Sequence, residues 1–174
     1  MFPIHCSTQN WPAKEEIFKK SAGFSGGNGC LCYNNSMKEN TLVYGVDVGG
    51  TTIKFGLLDG RGNLLHRSSI PTDTSEQGKN ILPQIAHWIR RQDVPFREIA
   101  GVGLGVPGPV RPDGTVNRCV NLGWGVVPAA AELSQLLDGV PVRVANDANA
   151  AALGERWLGA GRNMDSLLLV TLGT

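Results

Sequence analysis

Strong charge of either sign is missing from this sequence. Sixteen basic residues against fifteen acidic ones leave a net charge of +1. No stretch sets Lys and Arg among aromatics, so nothing in the chain is built to hold a polyanion and no nucleic-acid partner is expected. Long apolar runs are missing too. None approaches the ~18 residues a membrane span requires, and the N-terminus has no apolar core behind basic residues, so neither a membrane partner nor export is expected and the expected location is cytoplasmic. Cysteine is scarce: Cys6, Cys30, Cys32 and Cys119 are too few and too unevenly placed for a disulfide framework and are expected as free thiols. Cys30-Leu31-Cys32 could form half of a zinc site, but no second Cys/His pair stands at ligand spacing, so no zinc ligands are expected in this chain. His5, His66 and His87 are scattered and read as ordinary residues.

What is present suffices for one real core, since 41% of the 174 residues are hydrophobic, a length and content typical of a single domain. Residues 1–36 stand apart, rich in Ser, Asn and Gly with neither alternation nor helical period, and are expected to be a disordered or non-native leader. Met37 precedes the first regular segment and is a candidate natural start. From Leu42 onward the apolar runs 42–48, 53–58 and 63–70 are separated by Gly49-Gly50 and by Asp59-Gly60-Arg61-Gly62, the pattern of a three-strand antiparallel meander. Ile81, Leu82, Ile85, Trp88 and Ile89 recur at three- and four-residue spacings, which predicts an amphipathic helix with Pro83 in its first turn. Segments 99–106, 140–145 and 167–172 read as buried strands, with apolar helices around 129–137 and 148–158 between them. A meander followed by strand-helix alternation predicts an α/β fold with a mixed sheet and flanking helices.

The segment Gly45-Val46-Asp47-Val48-Gly49-Gly50-Thr51-Thr52-Ile53-Lys54 puts a carboxylate, two glycines and two hydroxyls at a tight turn between strands. Glycines there let backbone N–H groups approach an anion. Thr51 and Thr52 can donate further bonds, and Asp47 can hold a hydrated divalent cation against phosphate oxygens. The same residues would also serve as a plain hairpin turn. The turn is not a Walker loop, because Thr51 stands where that loop needs lysine. Gly103-Leu104-Gly105-Val106-Pro107-Gly108 matches G-x-G-x-x-G, but Pro107, Pro109 and Pro112 prevent a helix from opening behind it, which excludes a dinucleotide fingerprint. Asn146-Asp147-Ala148-Asn149 follows the strand ending near Ala145. Taken alone it reads first as a helix cap; it is also an acid at the carboxyl end of a strand, where open α/β sheets place their chemistry. A carboxylate at a helix start is suited to accept a proton from a hydroxyl, so the two roles can coexist.

In order along the chain, the 46–54 segment, Gly103-Leu104-Gly105-Val106-Pro107-Gly108-Pro109-Val110, Asn121-Leu122-Gly123-Trp124 and Asn146-Asp147-Ala148-Asn149-Ala150-Ala151 resemble the ROK family of sugar kinases and sugar-responsive repressors, above all its glucokinases. The resemblance covers 42–174. It implies an actin-like ATPase domain with a ribonuclease-H-like sheet, ATP and Mg2+ as cofactors, and a hexose, most simply glucose, as substrate. It further implies Asp47, Gly49, Gly50, Thr51, Thr52 and Lys54 at the ATP phosphates, with Asp47 reaching Mg2+ through water. Asp147 is implied as the general base, and Gly108, Asn121, Asn146 and Asp147 as the sugar pocket. Gly108 also has a purely structural reading, turning the chain beside Pro107, and Asn121 one as a partner of a loop backbone. Thr171-Leu172-Gly173-Thr174 resembles the opening of a second phosphate motif. The family's Glu-x-x-Gly-His segment, cysteine-rich zinc loop and adenosine wall are not in this sequence, so Zn2+ is expected only in that missing part. The expected organisation is an actin-like domain over 37–165 and the first strand of a second domain over 166–174. The fragment is expected to be inactive alone, and the full-length form homo-oligomeric. Two alternatives remain: a sugar-binding repressor of the same family, against which the short leader leaves no room for a helix-turn-helix domain, and an N-acetylmannosamine or fructose kinase.

Overall fold

The computed structural model describes residues 41–170. The leader and its boundary at Met37 lie outside the described residues, as do 171–174. Strands β1 (Leu42–Val48), β2 (Thr52–Asp59) and β3 (Leu64–Pro71) form the expected meander. Helix α1 (Ile81–Arg90) returns the chain to β4 (Ile99–Val106). A small hairpin of β5 (Val116–Cys119) and β6 (Trp124–Val127) follows, then α2 (Ala129–Leu136), β7 (Val142–Asn146) and α3 (Asp147–Trp157). The main sheet has five strands in the order β3-β2-β1-β4-β7. β1 is antiparallel to β2 and parallel to β4, and β4 is parallel to β7. This mixed sheet with helices is the actin-like arrangement that the motifs imply.

Strand alternation decides which face is the core. Tyr44, Val46 and Val48 of β1, Ile53 and Phe55 of β2, and Val102, Leu104 and Val106 of β4 are all buried on one face. Ile81, Ile85 and Ile89 of α1 and Leu133 of α2 close over it. Trp88 joins the helix to the sheet, stacked on Phe55 with ring centroids 4.0 Å apart and edge-on to Tyr44. Pro83 is the third residue of α1, where a missing N–H is harmless. Among the described residues no helix is long and apolar enough to cross a membrane.

Three features depart from the expectations. The β5–β6 hairpin carries no strong period-2 signal, because Arg118 sits in the left-handed region at φ 62 and breaks the alternation between Val116 and Cys119. Ser75–Gly78 forms a kinked turn with Glu76 and Gln77 also left-handed, a conformation no local pattern announces. The strand expected from Leu167 is absent over its described part: residues 166–170 are irregular. A strand needs a ladder to satisfy its backbone, and among the described residues 166–170 join none, although β7 is an edge strand with only β4 beside it.

Candidate active site

Register brings the chemical residues together. Across the sheet's second face Lys54 pairs with Asp47, Asp47 with Gly105, and Gly105 with Ala145, one row spanning four strands. Asp147 follows two residues after Ala145, as the first residue of α3. The two aspartates therefore flank Gly105 at the ends of the parallel strands, about two strand spacings of ~4.8 Å apart. A Cβ on Gly105 would stand 3.7 Å from Asp147 Cα and 4.0 Å from Asp47 Oδ1. Alanine would fit, while a larger residue would fill the space between the carboxylates.

The Gly49–Thr52 turn is held open. Gly49 N–H donates to Thr52 O at 3.0 Å, and Thr72 clamps the turn from β3, its Oγ1 donating to Gly49 O at 2.7 Å and its N–H to Thr51 O at 3.0 Å. The N–H groups of Gly50 and Thr51 donate to no backbone carbonyl among the described residues, and the Thr51 and Thr52 hydroxyls have no partner there. Gly50 is exposed. A Cβ on it would come within 2.9 Å of Asn121 O, so the loop after β5 crosses too close for any side chain at this position. Asn121 is thereby placed beside the Gly49–Thr52 turn with its backbone as the contact and its side chain exposed.

Asp47 is exposed, and its Oδ2 lies 3.4 Å from Lys54 Nζ. An exposed pair of this kind contributes ~0–1 kcal/mol and can rearrange at little cost. Among the described residues no three His, Cys, Asp or Glu converge on a common metal position. A single carboxylate beside a phosphate cradle fits Mg2+, which keeps most of its water and takes its other ligands from phosphate oxygens.

At the end of β7 Asn146 caps α3, its Oδ1 accepting from Asn149 N–H at 3.2 Å, while its Nδ2 donates to Gly108 O at 3.4 Å. One amide thus ties the Pro107–Gly108 loop to the start of the helix that carries Asp147. Gly108 is buried, and a Cβ there would stand 3.1 Å from Cys119 Cβ. Asp147 is half-buried, with Oδ1 accepting from Ala148 N–H at 2.8 Å. Burial pushes the Cys119 thiol above its ordinary pKa, and the negative charge of Asp147 adds to the rise. Cys119 therefore lines the same corner as an uncharged thiol, its Sγ donating to Pro107 O at 3.4 Å.

The sequence reading missed what holds Asn121 in place. Trp124 Nε1 donates to Gly78 O at 2.9 Å in a buried pair. Gly78, at φ +68, has the carbonyl of Leu122 where a Cβ would stand. The kinked turn 75–78 and the turn 120–124 are thus interlocked. The buried indole was the only sequence signal for this contact.

The sequence profile described as the ROK family matches residues 43–174. The glucokinase of Halalkalibacterium halodurans is 41% identical over 135 residues, 75% of this chain and 41% of that protein. The glucokinase of Thermotoga maritima is 37% identical over 138 residues, 76% of this chain and 42% of that protein. Among solved structures, a ROK family glucokinase from Streptomyces griseus in complex with glucose and AMPPNP superimposes with a TM-score of 0.61 at 35% identity, over 71% of this chain and 39% of that one. The chain spans about two-fifths of the length of the relatives it matches. With the profile covering most of the sequence and the four motifs meeting at the ends of β1, β4 and β7, the chain belongs to the ROK family.

Proposed function

We propose that this chain is the phosphate-binding and base-bearing wall of an ATP-dependent hexose kinase that converts glucose to glucose 6-phosphate, a cytoplasmic reaction that opens glycolysis. The observation that supports the proposal is that two carboxyl-bearing residues, Asp47 and Asp147, lie on either side of Gly105, within 4.0 Å and 3.7 Å of where its Cβ would stand. Bound ATP with Mg2+ supplies the phosphoryl group and neutralises its developing charge. The free N–H groups of Gly50 and Thr51 donate to phosphate oxygens, joined by the Thr51 and Thr52 hydroxyls. Asp47 would hold the ion through water, and Lys54, 3.4 Å from Asp47 Oδ2, would turn toward the phosphates. Asp147 accepts the proton of the sugar hydroxyl through Oδ2, its Oδ1 already engaged by Ala148 N–H. As the hydroxyl oxygen bonds to phosphorus, the bond to the leaving diphosphate breaks. Gly108, Asn121 and Asn146 form the floor of the sugar pocket.

Positioning and electrostatics supply nearly all of the catalysis in phosphoryl transfer, so the reaction needs both walls of a cleft. The test joins this chain to the part of the H. halodurans glucokinase that it does not match and measures glucose-dependent ADP release. Turnover of roughly 1–100 per second is expected, against none for residues 1–174 alone. A folded joined chain that binds nucleotide and sugar but transfers nothing would refute the proposal. N-acetylmannosamine and fructose in the same assay decide the substrate.

A further inference from the structure

Thr72 follows directly on β3 and bonds twice to the Gly49–Thr52 turn. Its N–H donates to Thr51 O at 3.0 Å, which prolongs the β2–β3 ladder by one residue beyond the Thr52–Pro71 pair. Its hydroxyl makes a bond that the ladder does not require: Oγ1 donates to Gly49 O, 23 residues away in sequence, at 2.7 Å. No backbone N–H among the described residues donates to that carbonyl. Gly49 O and Gly50 N–H belong to one peptide unit, which is planar and trans, so the carbonyl and the N–H point in opposite directions. A hydroxyl that fixes the Gly49 carbonyl therefore also fixes the Gly50 N–H, and aims it away from Thr72. That N–H donates to no backbone carbonyl among the described residues and belongs to an exposed glycine. Bonding the carbonyl also polarises the peptide unit and strengthens its N–H as a donor by about 10–30%. Without the hydroxyl, two successive glycines leave this peptide plane free to rotate.

The hydroxyl acts from a fixed base. Thr72 is half-buried, and its neighbour Asp73 is tied to the start of α1. Asp73 N–H donates to Gln84 Oε1 at 3.1 Å, and Asp73 Oδ2 accepts from Asn80 Nδ2 at 2.8 Å. Asp73 Oδ1 accepts from the Ser75 hydroxyl and from Ser75 N–H, the latter at 3.0 Å. The bonds from the Ser75 hydroxyl and from Asn80 hold the Asp73 carboxyl below its ordinary pKa, so at neutral pH it is ionised and accepts from both. Asn80 directly precedes α1 and Gln84 lies on it, and Ile81, Ile85 and Ile89 of the same helix are buried in the core. A continuous set of contacts thus runs from the packed helix through Asp73 and Thr72 to a donor at the turn. We propose that Thr72 is a positioning residue for nucleotide phosphate, its hydroxyl setting the Gly50 N–H in the direction from which it meets a phosphate oxygen. This inference deepens the kinase reading and rests on it for the identity of the anion, but not for the geometry of the turn.

Thr72→Val keeps the side-chain shape and the backbone bond and removes only the hydroxyl, which Thr72→Ser retains. In residues 1–174, backbone amide relaxation measured by NMR should give the Gly50 N–H a rigid order parameter of about 0.85 in the parent and in Thr72→Ser, falling below about 0.6 in Thr72→Val. In the joined chain, Thr72→Val should raise the KM for ATP with Mg2+ by about 10-fold, the worth of one hydrogen bond to a charged group, with the glucose KM unchanged. Thr72→Ser should return the ATP KM to near that of the parent. A residue that only braced the fold would lower the melting temperature without separating the two KM values. An unchanged Gly50 order parameter in Thr72→Val, equal rises in both KM values, or no recovery in Thr72→Ser would overturn the proposal. If Thr72→Val does not fold, Asp73→Ala decides, since Thr72 then keeps its hydroxyl and loses its base. The same order parameter should fall and the ATP KM should rise severalfold, and no change in either overturns the proposal. Turnover in the joined chain with an ATP KM indifferent to Thr72→Val refutes this inference alone. No turnover, with a Gly50 N–H loosened by Thr72→Val in residues 1–174, refutes the kinase reading alone.

Discussion

Replacing Trp124 with Phe tests whether the interlocked turns hold the sugar-side loop. Trp124 is 4% exposed, and its Nε1–H is the donor to Gly78 O at 2.9 Å. Phenylalanine keeps most of the ring but leaves the buried carbonyl without a partner, at a cost of about 1–3 kcal/mol. The smaller ring adds on the order of 1 kcal/mol for lost packing. The expected loss of about 2–4 kcal/mol is a large part of the ~5–15 kcal/mol available to a domain. Urea unfolding followed by circular dichroism avoids the missing indole signal and should show a lower midpoint at unchanged slope. Gly78→Ala should cost more, because its Cβ meets the Leu122 carbonyl and its φ of +68 disfavours any side chain. The consequence for the site is local. Asn121 loses its fixed place over Gly50, so in the joined chain the sugar KM should rise before stability fails. A Trp124→Phe protein within about 0.5 kcal/mol of the parent would show that the hydrogen bond does not hold the loop.

In the joined chain, Asp147→Asn should leave sugar binding largely intact and lower turnover by about 10²–10⁴, the usual cost of a lost general base. A raised KM at preserved turnover would assign Asp147 to binding or capping only. Starting the chain at Met37 should leave the melting temperature unchanged, because the sequence before it lacks the apolar content to offset the entropy of ordering; a drop of several degrees would show that it packs. At alkaline pH, burial raises the Cys119 thiol above its ordinary value of 9.0 and the Tyr44 hydroxyl above 10.0. The folded state therefore holds these protons more tightly than the unfolded one. Their contribution is complete below about pH 9 and is lost as pH rises through the folded values. Unfolding free energies measured from pH 8 to 11 should fall, with a shallower slope for Cys119→Ala; equal slopes would remove the thiol from the account.

The local elements were legible because their causes are local. Alternation of Val, Leu and Ile around Gly49-Gly50 and Gly60 defines β1, β2 and β3, and the spacing from Ile81 to Ile89 defines α1. Asn146 was legible as a cap, and its side chain does accept from Asn149 N–H. The hairpin of β5 and β6 was not legible, since each strand has four residues and one carries a left-handed Arg118. The run 167–170 misled in the opposite direction: its composition is that of a strand, but strand formation requires a ladder, and among the described residues it joins none.

By itself the sequence determined which residue types are available for chemistry and on which elements they lie. Asp47, Gly49, Gly50 and the two threonines are contiguous, and any chain with that pattern places them at one turn. The sequence did not determine that Asp147 would stand across Gly105 from Asp47, that Asn121 would cross over Gly50, or that Trp124 would lock onto Gly78. Those contacts join residues far apart along the chain. They follow from the parallel register of β1, β4 and β7 and from which sheet face the core occupies, and a pattern with a period of two or 3.6 residues carries no information about either.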